Sequence, residues 1–135
     1  MAIVWRAIAL LWIATISACN GPTSPTIELD EQFVVAPDGA VRIASTGISL
    51  RFIGVMGDSR CPADAICIQG GDALVRIEVS MEKARSTEYD LHTGDMRPVK
   101  HNGLIISLIQ LEPYPFSSRI IQPSDYRATL RVIRR

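Results

Sequence analysis

Apolar and polar residues alternate with a period of two through most of this chain, the spacing of strands that bury one face. Ile48-Ser49-Leu50-Arg51-Phe52 and Val75-Arg76-Ile77-Glu78-Val79 alternate strictly, with Arg76 and Glu78 on the wet face. Glu88-Tyr89-Asp90-Leu91-His92 alternates as well and stops at Thr93-Gly94-Asp95. Residues 33–35 and 41–43 are short apolar runs on either side of Pro37-Asp38-Gly39. That tripeptide is a turn signal: a fixed φ, an Asx hydrogen bond, then a permissive residue. Residues 104–111 (LIISLIQL) are apolar on both faces, which predicts a strand in the middle of a sheet. In the last run, residues 126–132, Tyr126, Ala128, Leu130 and Val132 share one face. No stretch of twelve residues after the N-terminal segment has helical periodicity. The pattern predicts an all-β domain over residues 28–135, an antiparallel sandwich or small barrel of about seven or eight strands.

The N-terminal segment has a different pattern. Arg6 supplies a positive charge, and Ala7 to Ile16 (AIALLWIATI) form an apolar core of about ten residues, the length of a signal-peptide h-region. Small residues follow at Ser17 and Ala18, then Cys19, then Asn20-Gly21-Pro22-Thr23-Ser24-Pro25-Thr26, which is polar and helix-breaking. A retained membrane helix would need about 20 predominantly apolar residues, and the uncharged run ends at Cys19. Ile16-Ser17-Ala18-Cys19 resembles the lipobox of bacterial lipoproteins. The resemblance implies removal of residues 1–18, lipidation of the Cys19 sulfur, and a tether over residues 19–27. It also implies residence in the bacterial cell envelope, facing the periplasm. Asn20, rather than Asp, favours the outer membrane in two-membraned bacteria. Two or more acyl chains on Cys19 would anchor the protein stably where one would not.

The cysteine count is consistent with that address. Of the three cysteines, assignment of Cys19 to lipid leaves Cys61 and Cys67. Outside the cytoplasm a pair so spaced is expected to form a disulfide. The spacing does not suit a redox Cys-x-x-Cys, and with no second pair it is half of a zinc site at most. Closing this loop should stabilise the fold by about 2 kcal/mol.

Charge adds little. Loss of 18 of the 135 residues leaves 117, with 13 basic side chains against 14 acidic ones. So even a balance gives no reason to expect nucleic-acid binding or docking on anionic lipid.

The segment 54–73 carries the distinctive pattern, with Asp58-Ser59-Arg60-Cys61-Pro62 followed by Cys67. It resembles a family of small, uncharacterised bacterial lipoproteins and secreted domains, whose members continue after the second cysteine with Trp-Ala-Gly into another strand. Gln69 and Gly70 stand here where that family has Trp-Ala. No activity is established for the family, so the resemblance implies architecture and compartment but no chemistry. From the residues themselves, Asp58, Arg60 and Asp64 suggest a local ion-pair cluster with Asp58 capping the turn. The cluster and the disulfide either brace a long connection or present a rigid recognition loop. Asp58, Asp64 and Asp72 as calcium ligands fit no known loop spacing, and Arg60 among them opposes a cation.

Two further groups are candidates. Pro113-Tyr114-Pro115-Phe116 interrupts strand pairing and carries two rings; these either form a binding surface or, as large aromatics usually do, tuck down as a lid on the core. His92 and His101 bracket a turn-like segment and, with Asp90 or Asp95, could hold a transition metal. Met56, Met81 and Met96 are scattered. There is no Gly-x-Ser-x-Gly, His-Glu-x-x-His or phosphate-binding glycine loop, and no cofactor is implied. The sequence thus points to a non-enzymatic, lipid-anchored interaction module for an unidentified envelope protein or ligand. Its binding residues are expected in the disulfide loop (Asp58, Arg60, Asp64) or at Tyr114 and Phe116. The alternatives are a small periplasmic metal protein or enzyme using His92 and His101, and a peptidase-inhibitor-like loop protein.

Overall fold

A computed structural model describes residues 23–82 and 85–135. Nine strands form two sheets: β1 (Thr26–Ile27), β2 (Gln32–Val35), β3 (Ala40–Ile43), β4 (Ile48–Asp58), β5 (Ala73–Met81), β6 (Thr87–His92), β7 (Val99–His101), β8 (Leu104–Glu112) and β9 (Arg127–Arg134). One sheet has the order β1-β3-β4-β5-β6 and the other β2-β9-β8-β7. Every pairing is antiparallel except the short β1–β3 contact. The chain is all-β, a two-sheet sandwich, with no α-helix among the described residues.

The alternation read from the sequence is what fills the space between the sheets. Leu50, Phe52, Val75, Ile77 and Val79 from one sheet, and Ile106, Leu108, Leu130 and Val132 from the other, are almost wholly removed from water. Arg76 and Glu78 fall on the opposite face of β5, where Arg76 forms a bidentate pair with Asp90 of β6 at 2.8 and 2.9 Å. β8 is central in its sheet, as its two-sided apolar run implies.

Three differences from the sequence reading concern the edges. Thr26 and Ile27, expected in the tether, form β1 on the edge of the sheet beside β3. Val99–His101, expected as part of a turn, forms edge strand β7 against β8. The Pro37-Asp38-Gly39 turn does not join paired neighbours: β2 pairs with β9 and β3 with β4, so the turn carries the chain from one sheet to the other.

β4 also runs six residues past Phe52, through register shifts at Phe52/Gly54 and Val55/Gly57. Gly54 adopts φ 156°, a conformation open to glycine. Such bulges bend and twist a strand near its end, and here they deliver Asp58 to the top of the sandwich, beside the end of β8.

Candidate functional site

The end of the sandwich where β4 gives way to β5 and β8 to β9 carries the two long connections, residues 59–72 and 113–126. Asp58, the last residue of β4, accepts from the Arg60 backbone N–H through Oδ1 at 3.2 Å, the Asx turn expected of it. The same carboxylate takes Arg60 in a bidentate grip, Nε to Oδ1 at 2.8 Å and Nη2 to Oδ2 at 2.6 Å. Arg60 is 9 % exposed and is the one buried charged residue among those described. Its remaining donors cross to the other sheet, Nη1 to the Leu111 carbonyl and Nη2 to the Pro113 carbonyl, both at 2.9 Å. Tyr126 closes the group, its hydroxyl donating to Asp58 Oδ2 at 3.0 Å.

Charge and burial work against each other in this group, and pairing prevails. Burial raises the Asp58 carboxyl, but the hydrogen bonds and charge of Arg60, with Tyr126, hold it below the usual carboxylate range. Burial, and then the Asp58 carboxylate, push the Tyr126 phenol up to about 12. A buried charge is tolerated only when it is paired and its donors are used. Arg60 meets that condition by binding two sheets at once.

Above this base the two loops are joined to each other. The Ala63 N–H donates to the Pro115 carbonyl at 2.9 Å, and the Ser117 N–H to Asp64 Oδ1 at 2.8 Å. The Arg60 guanidinium lies 5.4 Å from the centre of the Tyr114 ring, within cation–π range. Asp64 is therefore not part of the ion pair expected with Asp58 and Arg60. It reaches across to the neighbouring loop instead, and the Ser117 amide holds its carboxyl below the usual range.

Cys61 and Cys67 form a disulfide, with Cα atoms 6.0 Å apart. The stems of that loop are clamped where Ser59 Oγ and N–H both donate to the Asp72 carbonyl, at 3.0 and 2.8 Å, and Ser59 Oγ accepts from the Asp72 N–H at 3.1 Å. Gly71 passes so close to the Ser59 carbonyl that a Cβ there would overlap it. The two loops expected as separate candidates are one body.

That body presents apolar side chains to water. Ile66 and Ile68 are fully exposed, Tyr114 is 52 % and Phe116 47 % exposed, and Ile120 is 83 % exposed. The lid expected of the two rings is therefore not formed. Tyr114 lies against Arg60, and both rings stand at the rim of a groove of about 440 Å³ with Glu112, Pro113 and Arg119.

The groups proposed as metal ligands are separated. His92 Nδ1 contacts Asp72 Oδ2 at 2.5 Å, and Asp72 Oδ1 also accepts from Thr93 Oγ1 and the Gly94 N–H, at 3.1 and 2.8 Å. His101 Nδ1 meets the Tyr89 hydroxyl at 2.9 Å. Asp90 pairs with Arg76 and Asp95 with Arg97. Likewise Asp58, Asp64 and Asp72, considered as calcium ligands, each have a separate set of partners. Among the described residues no group of three or more His, Cys, Asp or Glu side chains is placed to hold a metal ion.

The His92–Asp72 contact is a clasp from β6 to the stem of the disulfide loop. Asp72 raises the His92 imidazole above its ordinary value. Partial burial raises the Asp72 carboxyl, but its bonds to His92, Gly94 and Thr93 bring it below.

Ile66, Ile68 and this clasp had not been singled out in the sequence. The only signal for the isoleucines is their position, two apolar residues flanking Cys67 in a segment too rich in Gly and Pro to be a strand. Cys19 and the other residues of the signal segment lie outside the described residues. Comparison with known protein families, with curated proteins and with solved structures found no match to this chain.

Proposed function

We propose that this chain is a lipid-anchored, non-enzymatic interaction module of the bacterial cell envelope, held by lipid on Cys19. On this reading it makes its contacts through the joined 59–72 and 113–126 loops. The observation that carries the reading is the contrast inside those loops. A buried Asp58–Arg60–Tyr126 base, a disulfide and two cross-loop hydrogen bonds hold still a surface whose outermost side chains, Ile66 and Ile68, are wholly apolar and wholly in water. Monomeric proteins seldom leave such residues clustered at one end without a contact for them to make. A rigid surface also loses little conformational entropy on binding. The lipobox-like Ile16-Ser17-Ala18-Cys19 and the disulfide support the compartment.

Two measurements test this. Metabolic labelling with a fatty-acid analogue should mark the protein and fail to mark Cys19→Ala. In intact cells, a photocrosslinking residue at Ile68 or Tyr114 should give adducts that the same residue at Asn102, at the far end of the sandwich, does not give. Label persisting on Cys19→Ala, or equal crosslinking from all three positions, would refute the reading.

A further inference from the structure

Resting on the anchored reading above, we propose that the contact made by the two-loop surface is the bilayer itself. Ile66, Ile68, Tyr114 and Phe116 dip into the headgroup region of the membrane that holds the lipid on Cys19. The first ground is chemical. From Cys61 to Gly71 the only charged residue is Asp64, and from Pro113 to Ser124 it is Arg119. The outer parts of the two loops therefore carry one charge of each sign around exposed aliphatic and aromatic groups, while Glu112, Asp125 and Arg127 line the groove at the ends of the second loop. Such a tip has little charge to desolvate and suits zwitterionic headgroups, and an amphipathic ring such as Tyr114 belongs at that depth. A rigid disulfide loop can insert its isoleucines without first having to be ordered.

The second ground is where the chain leaves the domain. β1 runs parallel to β3, with Thr26 beside Arg42 and the Pro25 carbonyl accepting from the Arg42 N–H at 2.8 Å. Followed backwards from Thr26, the chain heads towards the Ala40 end of β3, which is the direction in which β4 climbs to Asp58 and the loops. Thr23 lies four residue steps from Cys19, a reach of about 13–14 Å. A lipid on Cys19 would hold the domain close against the bilayer. β4 covers at most about 30 Å from Ser49, level with Thr26 through Arg42, to Asp58. Cys19 and the loop tips thus meet one plane with the sandwich tilted, its β1 edge towards the membrane and the Asn102-Gly103 turn away from it. The loops then act as the second membrane contact beside the lipid.

Tryptophan supplies the test, because both tryptophans of the chain, Trp5 and Trp12, precede Cys19. A processed protein therefore has no tryptophan emission until one is introduced. Ile68→Trp, Phe116→Trp and Asn102→Trp, purified with their lipid, are reconstituted into phosphatidylcholine–phosphatidylethanolamine vesicles containing brominated lipid. The Ile68→Trp and Phe116→Trp variants should emit blue-shifted light that the bromines quench, and the Asn102→Trp variant should emit as in water. Adding Ile66→Ser and Ile68→Ser to Phe116→Trp should remove most of that quenching; both isoleucines are fully exposed, so the fold does not depend on them. Unquenched, water-like emission from positions 68 and 116 overturns the proposal and leaves the surface to a protein partner, and so does equal quenching at all three positions. The mass of the Cys19 peptide reports on the anchor independently. Should Cys19 be unmodified, the anchored reading fails. The same variants carrying Trp5→Phe and Trp12→Phe, mixed with the same vesicles, then test the surface alone, quenching at 68 and 116 supporting it and its absence overturning it.

Discussion

The two ends of the sandwich close their strands in opposite ways. At one end β3 turns into β4 through residues 44–47, where Thr46 Oγ1 donates to the Ile43 carbonyl at 2.8 Å and accepts from the Ile48 N–H at 3.1 Å. There too β7 turns into β8 through Asn102 and Gly103, both at positive φ, the conformation a two-residue hairpin asks for. These turns are short and present no large apolar side chain. The other end spends two long connections, a disulfide and a buried ion pair on a closure that a short turn would have achieved. Material beyond what closure requires is where function is to be sought, because loops on a rigid scaffold commonly carry binding residues.

The largest expected break in this contrast is at Arg60. Arg60→Met leaves the Asp58 carboxylate and the Leu111 and Pro113 carbonyls buried without their partner, a change that should cost about 3–5 kcal/mol. Thermal unfolding should register it at several degrees per kcal/mol. At the plain end, Arg134→Ala gives up one exposed bond to the Ser45 carbonyl at 3.3 Å and should change stability by less than about 0.5 kcal/mol. Equal effects at the two ends would erase the distinction. Next comes the disulfide: Cys61→Ser with Cys67→Ser should cost about 2 kcal/mol while leaving the all-β spectrum intact.

Tyr126→Phe is a finer probe. It removes one donor from Asp58 but leaves the bidentate Arg60 in place, so a loss of about 1 kcal/mol is expected. Since burial and Asp58 push the Tyr126 phenol up to about 12, its ultraviolet titration should come well above the ordinary 10.0 of a phenol.

The smallest effect concerns pH. The folded imidazole of His92 titrates above its ordinary 6.5 because of Asp72. Its contribution is therefore complete below pH 6.5 and is lost as pH rises through the higher folded value. Asp72 titrates below its ordinary 3.8, so its share is present above that and is lost as pH falls through the lower folded value. Stability should accordingly decline as pH rises above 6.5, and His92→Asn should flatten that decline. Both side chains are about two-fifths exposed, which keeps the effect under about 1 kcal/mol. An unchanged slope in His92→Asn would place its source elsewhere.

What the sequence made legible follows the same division. Seven of the nine strands could be read because burial of one face imposes a period of two over four or more residues. β1 has two residues and β7 three, too few for any period to register, and both are set by their neighbours β3 and β8. The disulfide was legible because cysteines can be counted. The reach of Arg60 to Leu111 and Pro113, 51 and 53 residues away, was not, because backbone carbonyls carry no mark of type. Asp64 misled for a related reason: nearness in sequence to Arg60 suggested a pair, while the folded chain turned it towards the Ser117 amide. For Tyr114 and Phe116 the sequence left open whether the rings lie in or out, because that depends on what lies beneath them; both are about half exposed. Beneath Tyr114 is a satisfied arginine rather than open core.

That the two loops form one body can be read most directly from hydrogen exchange at two amides. The Ala63 and Ser117 N–H groups donate across the seam, to Pro115 and to Asp64. Both should exchange slowly in the native protein. Removing the disulfide by Cys61→Ser with Cys67→Ser should speed exchange at Ser117, a residue in the other loop, together with Ala63. Exchange at Ser117 that stays at its native rate while Ala63 opens would show the loops to be independent and would contradict the account.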